Sequence, residues 1–259
     1  MDRKTETELM ATLKNLTEAE YVKRIRSRFI VRDVDAPNVN YIRVGKDNDG
    51  GYVMFDDFDG VKVAYSFGIG RDVSWDEDMA ARGIDIFMYD HEIDALPKDN
   101  PKFHWSKTGL TGVFNPAHPE LETLPRLIEQ NGHADEHNMI LKMDIEASEY
   151  NVLKAIDAST LKRFKQLAME FHGLMHSELE NAIGLSLDKL NVTHQLVHVH
   201  GNNFSGYIVR GGLVLPEVIE CTYLRRSDYA FVDSQKFFPT ELDMPCHPTR
   251  PEINLGYWG

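Results

Sequence analysis

The stretch that most constrains this chain is Met139-Ile140-Leu141-Lys142-Met143-Asp144-Ile145-Glu146-Ala147-Ser148-Glu149-Tyr150. An apolar run with the make-up of a buried strand meets acidic side chains at its carboxyl end, and a helix-like segment follows from about Ser148. Such a strand belongs inside an open α/β sheet, where ligands bind at the carboxyl edge. A carboxylate such as Asp144 at a buried strand tip costs desolvation energy unless a cation, a proton or a donor compensates it. Asp144 therefore marks either a binding site or a cap for the following helix.

The most legible unit lies upstream. Val61 to Phe67 reads as a strand running into Gly68-Ile69-Gly70, and Ser74-Trp75-Asp76-Glu77 has capping-box spacing and opens a helix through about Arg82. Gly83 ends that helix, and Ile84 to Tyr89 forms a second strand finishing at Asp90. Glycines in the first turn admit close backbone approach, and an acid at the second strand tip can accept from ribose hydroxyls, which suits an adenosine-containing cofactor. The third glycine of a dinucleotide fingerprint is missing. Arg71-Asp72-Val73-Ser74 instead places charge and polar side chains where a pyrophosphate needs bare backbone. That favours S-adenosylmethionine, whose cationic methionine end carries no phosphate, over NAD.

Around these units, residues 5–29 carry apolar positions at mostly helical spacing, with Thr17 and Glu20 as a capping box, and the cluster Lys23, Arg24, Arg26 and Arg28 reads as a solvated face. Val39 to Val44 reads as a short strand, and Gly45 to Val53 holds Gly50-Gly51 in a tight turn, either a hairpin or a ligand loop. Phe103 to Lys107 is a third strand, Pro119 to Gln130 a helix, and Gln166 to His172 a fifth strand with Glu170 and His172 on one face. Ser177 and Glu180 cap a helix to about Leu190, Gln195 to His200 is a sixth strand, and Val218 to Leu224 the last. The Pro-rich tail from Asp243 onward reads as a surface wrap. Two units are expected: an N-terminal helical extension over 1–38 and one α/β domain over 39–259.

Charge narrows the partners. Lys plus Arg total 28 against 41 Asp plus Glu, a formal net charge of −13, so a nucleic-acid partner is disfavoured. No run approaches the roughly 20 apolar residues of a membrane span. Neither a signal peptide nor a disulfide framework is visible, since Cys221 and Cys246 are the only cysteines, and the expected setting is the reducing cytoplasm with no membrane partner.

Taken together, Ser66-Phe67-Gly68-Ile69-Gly70, Tyr89-Asp90-His91, Leu141-Lys142-Met143-Asp144-Ile145-Glu146 with Ser148-Glu149-Tyr150, and Glu170-Phe171-His172 resemble the class I S-adenosylmethionine-dependent methyltransferases. Within them the chain resembles the FkbM-like group, whose hallmark is similar to Lys-x-Asp-x-Glu-Gly-x-Glu. Ala147 stands where that hallmark has glycine. The resemblance covers roughly residues 40 to 225. It implies a Rossmann-like seven-stranded sheet with helices on both faces, the last strand antiparallel, the cofactor over the first two strand ends, and methyl transfer to a hydroxyl of a sugar or sugar-bearing natural product. Carried over, Gly68 and Gly70 line the methionine side, Asp90 holds the ribose and Asp144 faces the methyl group; Asp72 and His91 are further candidates for binding the cofactor.

Methyl transfer is an in-line displacement that must also deal with the acceptor proton. Neighbouring strands lie about 4.8 Å apart, so Asp144 and Glu170 can approach one ion, joined by His198 from a strand near that edge. The expected set is Asp144, Glu170 and His198 around Mg²⁺ or Mn²⁺, with His172 or His200 taking the proton. Without a metal, His172 serves as general base. Asn202, Asn203, Tyr207 and Arg210 are candidates for gripping a sugar or nucleotide-sugar acceptor, with Arg225 and Arg226 on a diphosphate. Two other functions compete: a non-catalytic module that keeps the cofactor fold, and a metal-dependent hydrolase using the same acids and histidines. The N-terminal helices would form a lid or a contact in a homo-oligomer.

Overall fold

The computed structural model describes residues 16–258. The helical spacing over residues 5–15 lies outside them. Residues 16–26 form helix α1. The central elements then follow as β1 (Val63–Phe67), α2 (Ser74–Ala81), β2 (Asp85–Tyr89), β3 (Phe103–Ser106), α3 (Leu124–Gln130), β4 (Met139–Met143), α4 (Glu149–Ala155) and α5 (Ala158–Leu161). They end with β5 (Phe164–Phe171), α6 (Glu180–Thr193), β6 (His194–Gly201) and β7 (Ile219–Arg225).

These strands make a 7-stranded sheet in the order β3-β2-β1-β4-β5-β7-β6. β1 to β5 run parallel, and β7 is antiparallel to both β5 and β6. The chain is thus α/β with a mixed sheet flanked by helices. Every residue of β1, β4, β5 and β6 is buried, which is why their sequences lack a clean polar alternation.

The two faces bury different material. On one, Tyr65, Leu141, Leu167 and Tyr223 pack with α1, α3, α4 and α6 in the main core. On the other, Ala64, Ile86, Ile140 and Ala168 pack with Trp75 and Met79 of α2 and with Val44, Tyr52 and Met54 of a hairpin formed by Tyr41–Val44 and Tyr52–Phe55. The glycine turn at 45–51 is that hairpin's loop.

Several local expectations change in the folded chain. Ser74 does not cap α2, because its hydroxyl donates to Asp72 Oδ1 at 2.6 Å. α3 begins at Leu124, not Pro119, since Leu121–Glu122 pairs with Gly109–Leu110 as a short parallel ladder. Residue 16 is already helical, so Thr17 does not cap α1. The Arg cluster is a docking face: Arg24 pairs with Glu180, Arg28 with Asp188, and Arg26 lies over the Trp258 ring. Tyr21, Val22 and Ile25 accordingly join the main core, and Arg32–Val34 pairs with Phe231–Asp233.

The tail is no surface wrap. Cys246, Ile253, Leu255 and Trp258 are buried, and Ile253, Leu255 and Trp258 belong to the main core. Prolines stop this segment from forming a helix without stopping it from burying apolar side chains. Among the described residues, no helix is long and apolar enough to cross a membrane.

Candidate functional site

The strand order reverses between β1 and β4, because the chain leaves β1 toward β2 on one side and continues to β5 on the other. At such a switch point the loops after the two strands diverge and leave a crevice at the carboxyl edge. Here it is a cavity of about 560 Å³, lined by Gly68, Gly70, Asp72, Asp90, His91 and Asp144 among others. Its volume falls in the range of small-molecule sites.

Two glycines build its floor. Gly68 has φ +75°, and a Cβ there would lie 1.5 Å from the Asp144 carbonyl oxygen, so the β1 and β4 loops touch backbone to backbone. Gly70 has φ +56° with open space where its Cβ would be. Asp90 at the β2 tip holds this turn: Oδ2 accepts from the N–H of Ile69 at 3.0 Å and of Gly70 at 2.9 Å, and Oδ1 from the N–H of Glu92 at 2.8 Å. A carboxylate offers about four lone-pair positions, so one remains for a ligand donor.

Asp72 pairs with Lys46 at 2.8 Å, tying the hairpin loop to the glycine turn. His91 packs beside Gly109, where a Cβ would sit 2.6 Å from its Nδ1. In the same wall Asp76 is 1 % exposed, and its Oδ1 has no hydrogen-bond partner. Burial pushes its carboxyl up to about 6, against the lowering pull of Lys142 and Ser66. An orphaned buried oxygen in a cavity wall is a place for a ligand's donor.

Beside the cavity, ligand atoms of Asp144, Glu170 and His172 all lie within 4.8 Å of one another. His172 Nδ1 meets Glu149 Oε1 at 3.1 Å, and the same oxygen accepts from the Ile145 N–H at 3.0 Å. The other nitrogen, Nε2, faces Glu146 at 3.4 Å and Asp144 at 3.7 Å. Burial works against a charged ring, but the Glu149 hydrogen bond and the charges of Glu149, Asp144 and Glu146 outweigh it and raise the pKa. Glu170 accepts from Asn202 Nδ2 at 2.7 Å, and burial with the charges of Asp144 and Glu220 pushes its carboxyl well above the usual range. Burial and the same Glu220 and Asp144 charges also raise Asp49, from the hairpin loop.

The structure brings Asp144 and Glu170 together with His172, not with His198. β7 lies between β5 and β6, which sets His198 about two strand spacings from Glu170. His198 Nε2 instead meets Asp243 of the tail at 2.8 Å. His200 is held between Glu220 and Glu252, so neither ring nitrogen is free to take an acceptor's proton. Asn202 reaches the cluster through Glu170, whereas Asn203 donates to the carbonyls of His247, Arg250 and Pro251. Tyr207 is exposed on a hairpin of Tyr207–Arg210 and Leu213–Pro216, and Arg210 pairs with Glu18 of α1. Arg225 pairs with His194 across the sheet at the opposite edge, too far round for an acceptor's diphosphate.

Sequence reasoning missed Glu149 as the group that orients His172, and Asp76, whose place in a capping pattern hid it. A signal for Glu149 was present: an acid in the first turn of α4 faces back toward the β4 tip.

Glu146 and Ala147 have φ of +53° and +72°. This left-handed turn explains why a glycine would suit position 147. The left-handed region costs an L-residue roughly 1–2 kcal/mol, and glycine's looser unfolded chain returns about 0.4–1. Ala147→Gly is expected to stabilise the protein by up to about 1 kcal/mol, read as a higher urea midpoint at unchanged slope. A lower midpoint would show that the turn is not strained by Ala147.

Comparison of the sequence with protein-family models gives no match, and comparison with curated proteins gives none either.

Proposed function

We propose that this chain is an S-adenosylmethionine-dependent O-methyltransferase of a hydroxyl on a sugar, nucleotide sugar or glycosylated natural product. The observation that carries the reading is the cavity at the β1/β4 switch point, floored by Gly68 and Gly70 and flanked by Asp90 and Asp144. Its residues fit the cofactor: open space at Gly70 admits a close approach, the spare Asp90 lone pair suits a ribose hydroxyl, and the orphaned Asp76 oxygen awaits a donor. His91 and Asp72 complete the wall. When bound, the cofactor supplies an electrophilic methyl group on a sulfonium.

The protein's own part is to position the acceptor and remove its proton. Glu149 fixes the His172 ring, leaving Nε2 beside Asp144 at the cavity's edge. In its neutral form Nε2 accepts the hydroxyl proton, and the surrounding carboxylates stabilise the imidazolium that results. Alternatively, Asp144, Glu170 and His172 have the donor set for Mg²⁺ or Mn²⁺; an ion held there would lower the hydroxyl pKa in place of the ring's action as a base. A small sugar or nucleotide-sugar acceptor, no nucleic acid, no membrane and a cytoplasmic setting complete the proposal, in keeping with the free thiols of Cys221 and Cys246.

Calorimetric titration of S-adenosylmethionine and S-adenosylhomocysteine into EDTA-treated protein, then with Mg²⁺ or Mn²⁺ restored, tests it. Saturable binding of both nucleosides is expected, together with a heat of metal binding that disappears in Asp144→Asn. If neither nucleoside binds under any condition, the cofactor reading fails, and the hydrolase and the non-catalytic module come forward.

A further inference from the structure

A second cluster lies one strand beyond Glu170, where the tail crosses β6 and β7 and Glu220 stands opposite Glu170 in register. His200 and Glu220 are register partners on those strands, and Cys246 and Glu252 come from the tail. His200, Glu220 and Cys246 are each no more than 4 % exposed. His200 Nδ1 lies 2.7 Å from Glu220 Oε2, Cys246 Sγ lies 3.4 Å from Glu220 Oε1, and Sγ lies 3.9 Å from Nδ1.

We propose that His200 Nδ1, Cys246 Sγ and the Glu220 carboxylate bind a zinc ion that fastens the tail to the sheet. Zinc bonds of about 2.0 Å to nitrogen and oxygen and about 2.3 Å to sulfur put the corners of a tetrahedral site roughly 3.3–3.6 Å apart. The observed separations, measured to the two oxygens of the Glu220 carboxylate, lie on both sides of that range. On binding, the Nδ1 to Oε2 contact must lengthen as an ion replaces the proton between them, and the Nδ1 to Sγ separation must shorten.

The orientation of the ring supports the assignment. Glu252 Oε1 sits 3.1 Å from Nε2, so with Nδ1 on the metal, Nε2–H donates to a carboxylate, the arrangement that fixes the tautomer of a metal-bound histidine. The tail is set in place independently, since Asn203 donates to the carbonyls of His247 and Pro251, between Cys246 and Glu252. A thiolate with an imidazole selects zinc over magnesium or manganese. A ligating thiol and a ligating imidazole nitrogen must both be deprotonated, so zinc binding here releases protons.

The test is metal content and spectroscopy on the full chain, free of any polyhistidine tag. After zinc is added and excess dialysed away, stoichiometric zinc is expected, and Co²⁺ put in its place should give a thiolate-to-cobalt charge-transfer band with tetrahedral d–d absorption. Cys246→Ser should lose the band and bind zinc at least tenfold more weakly, while Cys221→Ala and Asp144→Asn keep both. The cobalt spectrum of the unaltered protein reads the site even if a variant fails to fold. Trace zinc only, a cobalt spectrum without the charge-transfer band, or zinc lost in Asp144→Asn and kept in Cys246→Ser would each overturn the proposal. All these readouts are independent of methyl transfer.

Discussion

Gly68→Ala is expected to destabilise the protein by about 2–5 kcal/mol and to abolish binding at the switch-point cavity. Two costs combine. At φ +75° a Cβ pays the roughly 1–2 kcal/mol of the left-handed region. It would also sit 1.5 Å from the Asp144 carbonyl oxygen, a backbone atom with no rotamer to move, so the loops after β1 and β4 must separate. Against a total stability of about 5–15 kcal/mol that is a large share. Urea unfolding should show the midpoint fall at constant slope, and titration with S-adenosylhomocysteine should show no heat. Gly70→Ala is the informative contrast, since its Cβ meets nothing within 4 Å. Equal losses of stability in both variants would mean that the loop contact is not what glycine serves at position 68.

His172→Ala is expected to lower kcat by about 10²–10⁴ with little change in KM for the cofactor. In the unaltered protein the base form must be neutral, and the ring's pKa is raised above 6.5, by Glu149, Asp144 and Glu146 acting against burial. Activity should therefore climb with pH through a value above 6.5 and level off. Stability runs the other way. A folded-state pKa above the unfolded one means that the protonated ring stabilises the fold fully below the unfolded pKa, and that this contribution is lost as pH rises through the folded value. The difference in urea midpoint between the unaltered protein and His172→Gln should accordingly shrink from pH 6 toward alkaline pH. A flat pH–activity profile, or a variant with undiminished turnover, would remove His172 as the base and leave Asp144 or a bound ion to take that role.

Both predictions concern the edge that the stretch 139–150 announced. Local sequence made β1, α2, β2, β4 and β5 legible, because each carries its own pattern: buried apolar runs, glycine stops and polar tips. It also made Asp144, Glu170 and His172 candidates, since strand ends in an α/β sheet converge on one edge wherever the strands lie. The tail shows the opposite case. Its prolines and polar residues describe a segment without regular structure, and nothing local says that Cys246, Ile253, Leu255 and Trp258 will be buried.

Period and composition act within a few residues, and they suffice for the α/β character and for the set of acids and histidines at the strand tips. Strand order was left to the tertiary structure. Inserting β7 between β5 and β6 separates His198 from Glu170, gives His198 to Asp243, and leaves His172, fixed by Glu149, as the imidazole beside Asp144. The same insertion sets Glu220 against His200 beneath the returning tail. Pairing between strands distant in sequence depends on the packing of the whole sheet, and no local pattern encodes it.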